Sequence, residues 1–317
     1  MTNGRPITFS APGKIHLLGE HSVVYGKPAL LATVNLRVTV TLSETKGINP
    51  KLYSSLSLQN DNFKKIIEPI VKKYLKIKDI PSYQLTISSQ LPIGAGLGSS
   101  AAISACYIAA LLNFLKVKWD LDLVNELTYE AEKAFHGNPS GADNCAVVFG
   151  GLIWFRKESE DLKIIQPLPF AIPAKLEKNF VIIYTGTPKQ STKEMVEMVS
   201  SNAAKFKELF DNQEKLAKEL LSVLKGADKK ELIKIIIQGE KNLESIGVVS
   251  KEVASIIRII EKRGGAAKIC GAGAIEGPTG ALLCYHPTPS IIKQIAKSYN
   301  LDYFKTKLGT KGLRLEN

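Results

Sequence analysis

The 317-residue chain has only four cysteines, Cys106, Cys145, Cys270 and Cys284. They form no C-x-x-C pair and have no histidine at metal-ligand spacing. That excludes a disulfide framework and argues against zinc, and it leaves them as small buried apolar residues. Long apolar runs are also missing. The longest candidate, Ala101 to Leu115, is broken by Ser104 and Asn113 and reads as a core helix. The stretch Met1 to Pro6 lacks the apolar centre of a signal peptide, so the expected location is the cytoplasm, with no membrane partner. No basic run is interleaved with aromatics. The net charge of +12 comes from 42 basic against 30 acidic residues. Its lysines are mixed with glutamates, as at Lys205, Lys207 and Glu208, which describes a solvated helical surface and no nucleic-acid site. Internal repeats and low-complexity segments are absent.

What is present is the balance of a globular protein, with 44% apolar and 23% charged residues. The length suits two domains. Period-two alternation predicts strands at Ile7, Phe9 and Ala11, at Leu36 to Leu42, and at Tyr83, Leu85 and Ile87. Helical spacing runs from Phe63 to Tyr74, where Pro69 predicts a kink or a helix start. Pro167, Pro169 and Pro173 mark a connection, which divides the chain into domains 1–165 and 166–317. The second half predicts a strand at Phe180 to Tyr184 and helices over 193–225, 229–246 and 250–263. Strands near 267–270, 280–285 and 302–306 follow, with a helix over 288–299. The class is α+β.

The strongest local signal is Leu91-Pro-Ile-Gly94-Ala95-Gly96-Leu97-Gly98-Ser99-Ser100. A strand pattern precedes it and the Ala101 helix follows. Glycines permit tight turns and close approach to a ligand. Free N–H groups and the dipole at a helix start favour phosphate. Ser99 and Ser100 stand where hydroxyls could meet phosphate oxygens or Mg2+. No Lys follows the last glycine, so this is not a Walker A loop, and no acidic residue about twenty positions on supports a dinucleotide fingerprint.

Three charged positions are chemically suggestive. A helix over 120–135 begins at the N-cap candidate Asp120, stops near Gly137, and has the apolar stripe Val124, Leu127, Ala131 and Phe135. Glu132 flanks the stripe, but helical angle does not separate it from Glu130. Asp143 leads out of the turn His136 to Asn144, where it is either a cap or a base aimed into a cleft. Lys14 follows a Pro-Gly turn, where it is either a snorkelling surface residue or a partner for a carboxylate and an anion. Glu20-His21 after Gly19 is compatible with an ordinary turn. His136 and His286 have no partner at motif spacing and receive no role.

Three segments, in order, resemble the GHMP kinases: Ala11-Pro-Gly-Lys14 through Gly19-Glu20-His21 to Ala29, the loop Pro92 to Ala102, and Lys268-Ile-Cys-Gly271-Ala-Gly273. Within that family, GEHSVVYGKPA together with HGNPSGADN resembles the members that phosphorylate mevalonate. The resemblance implies a two-domain α+β fold. Its N-terminal domain would be like domain 2 of ribosomal protein S5, and its C-terminal domain ferredoxin-like. It implies ATP- and Mg2+-dependent phosphorylation of the mevalonate 5-hydroxyl in isoprenoid biosynthesis. Asp143 would be the base and Lys14 would stabilise the alkoxide. Ser100 and Glu132 would hold Mg2+, and this carry-over chooses Glu132 over Glu130. Gly94, Ala95, Gly96, Leu97, Gly98, Ser99 and Ser100 would hold the ATP phosphates, and Glu20, His21 and Thr192 would line the substrate pocket. A homodimer is compatible with the resemblance. One departure is Gly271-Ala-Gly-Ala-Ile-Glu276-Gly-Pro278, where the family carries a longer glycine run.

Overall fold

The structure, a computed structural model, describes residues 5–44, 57–92, 94–137 and 139–316. The first half runs β1 (Ile7–Leu18), β2 (Ala29–Glu44), α1 (Ser57–Leu75), β3 (Tyr83–Ser89), α2 (Ser99–Phe114), α3 (Leu121–His136), α4 (Ala142–Phe149), β4 (Leu152–Lys157) and β5 (Lys163–Pro167). The second half begins with α5 (Ala174–Glu177), β6 (Phe180–Tyr184), α6 (Thr192–Ser200), α7 (Lys207–Gly226), α8 (Lys229–Ile246) and α9 (Lys251–Lys262). It ends with β7 (Ala266–Ile269), β8 (Ala281–Tyr285), α10 (Ser290–Ser298), β9 (Asp302–Lys305) and β10 (Arg314–Glu316).

The first sheet has the order β10-β1-β2-β4-β5, with β3 also on β2. Every pairing is antiparallel. β1 is buried from Phe9 to Leu18, which is why its sequence is apolar beyond simple alternation. It pairs with β2 in the register Phe9↔Val40 and Lys14↔Thr33, with irregularities between Pro12 and Lys14 and between His16 and Leu18. Such bulges re-aim side chains. Here they bracket Lys14 and His16. Helix α2 is buried from Ala101 to Leu112 and packs against β1, β2, α1 and α3. A helix that is apolar all round belongs in such a central position.

The second sheet has the order β7-β8-β6-β9, again all antiparallel. Its βαββαβ succession and strand order are the ferredoxin-like arrangement. Val181, Ile183, Ile257, Ile269 and Leu282 form the centre of its core. β5 carries the first sheet through to Pro167. β10 returns from the far end of the chain to pair with β1. Among the described residues, no helix is long and apolar enough to cross a membrane. All four cysteines are buried free thiols.

One expected helix is divided in the fold, and of the kink or helix start expected at Pro69 the start is absent. The helical segment expected over 193–225 is two helices, because Ser201 and Asn202 interrupt it. The Ser201 hydroxyl donates to Glu197 O at 3.0 Å and the Asn202 amide to Met198 O at 3.2 Å, so side chains satisfy the last carbonyls of α6. α1 runs through Pro69 without stopping. Pro69 and Lys65, whose carbonyl loses its partner, are both exposed, so water can replace the missing bond. An exposed proline inside a helix still costs stability. Pro69→Ala is expected to raise the unfolding free energy by about 1–3 kcal/mol. A lower denaturation midpoint for the variant would show that the ring contributes packing that exposure hides.

Candidate active site

The buried strand β1 carries Lys14 into the interior, where its side chain is 3% exposed. Its Nζ lies 3.0 Å from Asp143 Oδ1. Asp143 is in the first turn of α4, whose N-cap Gly141 has φ +91°. The strand also pins the glycine loop, because Lys14 N–H donates to Leu97 O at 2.9 Å. Gly98 (φ +70°) lies against the lysine stem, and a Cβ there would stand 2.8 Å from Lys14 Cγ. Both its left-handed backbone and this close approach require glycine. Gly98 is the N-cap of α2 and offers no side-chain cap, so the first N–H groups of a buried helix are left for a ligand.

Lys14, Asp143 and the loop border one cavity of about 540 Å³. Gly94, Gly96, Leu97, Gly98, Ser99 and Ser100 all line it. So do Glu132, Glu20, His21 and Thr192. Ala95 does not. It is buried behind the loop, and its carbonyl accepts from Ala281 N–H at 2.9 Å, tying the loop to β8. A cavity of about 250 Å³ shares Gly94 and Gly96 and continues toward Thr187 and Thr279. In the atypical 271–278 loop, Gly271 and Ala272 border the larger cavity, while Ile275 and Glu276 face solvent. A Cβ on Gly96 would lie 3.1 Å from Gly271 Cα, so the two glycine loops touch backbone to backbone.

Burial distinguishes the two glutamates that helical spacing does not. Glu130 is exposed and pairs with Lys133 at 2.7 Å. Glu132 is buried on the α2 side of α3. Its Oε2 accepts from the Ser100 hydroxyl at 3.3 Å, and its Oε1 is buried without a protein partner. Burial, then the charge of Asp143, pushes its carboxyl up to about 8. An orphaned carboxylate oxygen beside a hydroxyl fits a divalent cation, which would hold Glu132 ionised. Among the described residues no cluster of three acidic, histidine or cysteine side chains suits a metal. A hard cation here would therefore complete its oxygen shell from phosphate and water. His136, which was given no role, lies with Nε2 3.2 Å from the Ser100 hydroxyl.

A second buried cation is bound to two residues that line the cavity, His16 and Glu20. Lys268 of β7 is fully buried and donates to Glu20 Oε1, to Ile269 O at 2.7 Å and to His16 O at 3.3 Å. Burial raises the Glu20 carboxyl, against the opposing pull of Lys268. Glu240 of α8 accepts from Ile269 N–H at 3.0 Å, and burial pushes it up to about 8. His21 adopts φ +57° and donates from Nε2 to Ala272 O at 3.0 Å. Burial lowers it to about 4, so it is neutral. His16 and Glu240 were not singled out from sequence, and Lys268, which opens the third family-like segment, was given no role. The spacing Lys14-x-His16 on a strand was the available signal for the first, since it places both on one face.

A cleft with a glycine loop at a helix start and a lysine–aspartate pair beside it defines a small-molecule kinase. Residues 62–151 match the GHMP kinases N terminal domain. A mevalonate kinase of Archaeoglobus fulgidus is 32% identical over 83% of this chain and 88% of its own length. One from Thermococcus gammatolerans is 31% identical over 97% of each chain. A crystal structure of L. major mevalonate kinase in complex with R-mevalonate superposes with a TM-score of 0.77 at 23% identity, covering 98% of this chain and 97% of that one. The chain belongs to the mevalonate kinase family of GHMP kinases.

The buried Glu240 makes stability depend on pH. Its folded-state pKa of about 8 lies well above the unfolded value of about 4.3. Between those values the folded chain keeps a proton that the unfolded chain has released, so raising pH through that window favours unfolding. Glu240→Gln removes this contribution. Urea denaturation at pH 5.5 and pH 8 should show the variant losing less stability than the wild type, by on the order of 1–3 kcal/mol. Equal losses would show that Glu240 does not titrate there.

Proposed function

We propose that the chain transfers the γ-phosphoryl group of ATP to the 5-hydroxyl of (R)-mevalonate, giving 5-phosphomevalonate for isoprenoid biosynthesis. The observation that carries this reading is the 3.0 Å pair of Lys14 Nζ and Asp143 Oδ1 at the foot of the glycine loop. Membership of the mevalonate kinase family and the mevalonate-bound structural neighbour support the substrate.

In this reading Asp143 accepts the proton of the substrate hydroxyl. Lys14 donates a hydrogen bond to the oxygen as its negative charge develops. That oxygen attacks the γ-phosphorus, the bond to the β–γ bridging oxygen breaks, and ADP leaves. Such a reaction needs alignment and charge stabilisation more than covalent help. The N–H groups of the Gly94 to Ser100 loop and of the α2 start hold the phosphates. Ser100 and Glu132 would hold Mg2+, which would supply neutralisation of charge on the phosphate oxygens. Glu20, His21 and Thr192 line the pocket for the rest of the substrate.

The first test is ADP release with ATP and Mg2+ against mevalonate, phosphomevalonate, homoserine, galactose and no acceptor. Release with mevalonate alone is expected, and release with a different acceptor alone would overturn the substrate assignment. Asp143→Ala should lower kcat by about 10²–10⁴ while the KM for ATP stays within a few-fold. Retention of most turnover would remove Asp143 as the base. Ser100→Ala should raise the Mg2+ concentration needed for half-maximal rate, and an unchanged Mg2+ dependence would remove Ser100 from the metal site.

A further inference from the structure

His16 is left over when the proposed mechanism has used its residues. It follows Lys14 by two positions on β1, so both side chains leave the same face of the sheet toward the cavity, which both line. Its Nδ1 is 3.3 Å from Lys14 Nζ. An ammonium group has donors and no acceptor, so Nδ1 must be the acceptor in this bond. Burial, followed by the charges of Lys14 and Lys268 and the neighbouring His21, holds the ring well below its ordinary pKa. The imidazole is therefore neutral with one proton, and that proton is on Nε2. Nε2 is buried and has no protein partner. An unpaired buried N–H is costly, and native structures seldom retain one without use.

Four residues on, Glu20 presents the complementary vacancy. Its Oε1 accepts from Lys268, while Oε2 is buried with no partner. The same Lys268 ammonium also donates to the His16 carbonyl, so one buried cation ties both residues in place. His16 and Glu20 both line a single cavity, and each keeps one buried polar atom without a protein partner, a donor on the first and an acceptor on the second. A ligand hydroxyl can accept from the first and donate to the second. A ligand carboxylate has no proton to give Glu20, and an ammonium has no lone pair for His16.

We infer that His16 Nε2–H and Glu20 Oε2 together bind a non-reacting hydroxyl of the acceptor alcohol, making His16 a specificity residue of this kinase. The inference rests on mevalonate being the substrate, whose only other hydroxyl is the tertiary one at C3. Lys14, which faces the reacting hydroxyl, is in direct contact with His16. The two hydroxyls they serve must then be close neighbours in one small molecule, as the C3 and C5 hydroxyls of a 1,3-diol are. His16 would read the feature that separates mevalonate from a simple primary alcohol of the same length.

The test compares the wild type, His16→Asn and His16→Gln with mevalonate and with its analogue lacking the C3 hydroxyl, 5-hydroxy-3-methylpentanoate. Asparagine retains an acceptor near the Nδ1 position for Lys14 but does not reach the Nε2 position. Glutamine places an amide N–H near Nε2. His16→Asn should raise the KM for mevalonate roughly tenfold, by more than kcat falls, with the KM for ATP little moved. His16→Gln should recover part of that loss. With the analogue, the wild type and His16→Asn should differ by no more than about twofold, because the hydroxyl that distinguished them is gone. The inference is overturned if His16→Asn leaves the KM for mevalonate within twofold, as it would if Nε2 held only water. It is equally overturned if the penalty is as large with the analogue. If the wild type does not phosphorylate mevalonate at all, the functional reading fails and this inference fails with it. Wild-type activity with an unaffected His16→Asn sinks the inference alone.

Discussion

The site depends on a lysine head buried beside one partly exposed carboxylate. Taking an ammonium out of water is expensive unless a charged partner and good geometry compensate. Here the partner is Asp143, and three elements are arranged around the pair. β1 pairs with β2 at Lys14↔Thr33 and is buried from Phe9 to Leu18, which carries the lysine into the interior. The loop at Gly98 must lack a side chain, because the lysine stem occupies the space a Cβ would need. α4 begins at Gly141 in a left-handed conformation, which turns the chain so that Asp143 falls in the first helical turn. Strand, glycine loop and helix start therefore form one unit, and moving any of them breaks the pair.

A second buried cation joins the two sheets. Lys268 reaches from β7 to Glu20 and to the His16 carbonyl, 248 and 252 residues away in the chain. His21 donates to Ala272, and Gly96 touches Gly271. Each of these links involves at least one residue that lines the cavity. The chemical groups come from the first half, and the second half supplies the far wall. Glu20 and Glu240 at this junction, and Glu132 beside Ser100, are all raised by burial, so the fold buries ionisable groups around the cavity. Such clustering of perturbed carboxyls is characteristic of functional sites.

Some of this was legible in advance and some was not. Gly94 to Ser100 was readable because glycine spacing, a preceding strand and a following apolar helix are all local features. Asp120 and Gly137 bounded α3 for the same reason. The uninterrupted α1 was not readable, because whether a helix survives a proline depends on whether water reaches the freed carbonyl. The break at Ser201 and Asn202 was missed because two side chains turned back on the helix against its apolar period. Glu132 and Glu130 were inseparable by angle, and only the position of α2 buries one and exposes the other. His16 was on the correct face by its spacing from Lys14, yet nothing local indicated that its Nε2 would lack a partner.

Most strands and most helices, the phosphate-type loop, and the motifs that resemble GHMP kinases were legible in the chain alone, whereas β4, β5 and β10 were not. Each legible feature is written within a few neighbouring residues, where backbone sterics, capping and hydrophobic period act directly. The tertiary structure alone decided that Lys14 meets Asp143, that Glu132 is the buried glutamate, and that Lys268 unites Glu20 and His16. Periodicity states which face of an element is buried but not what it is buried against. Those partners are far apart in the chain, and their distances exist only once both sheets have packed.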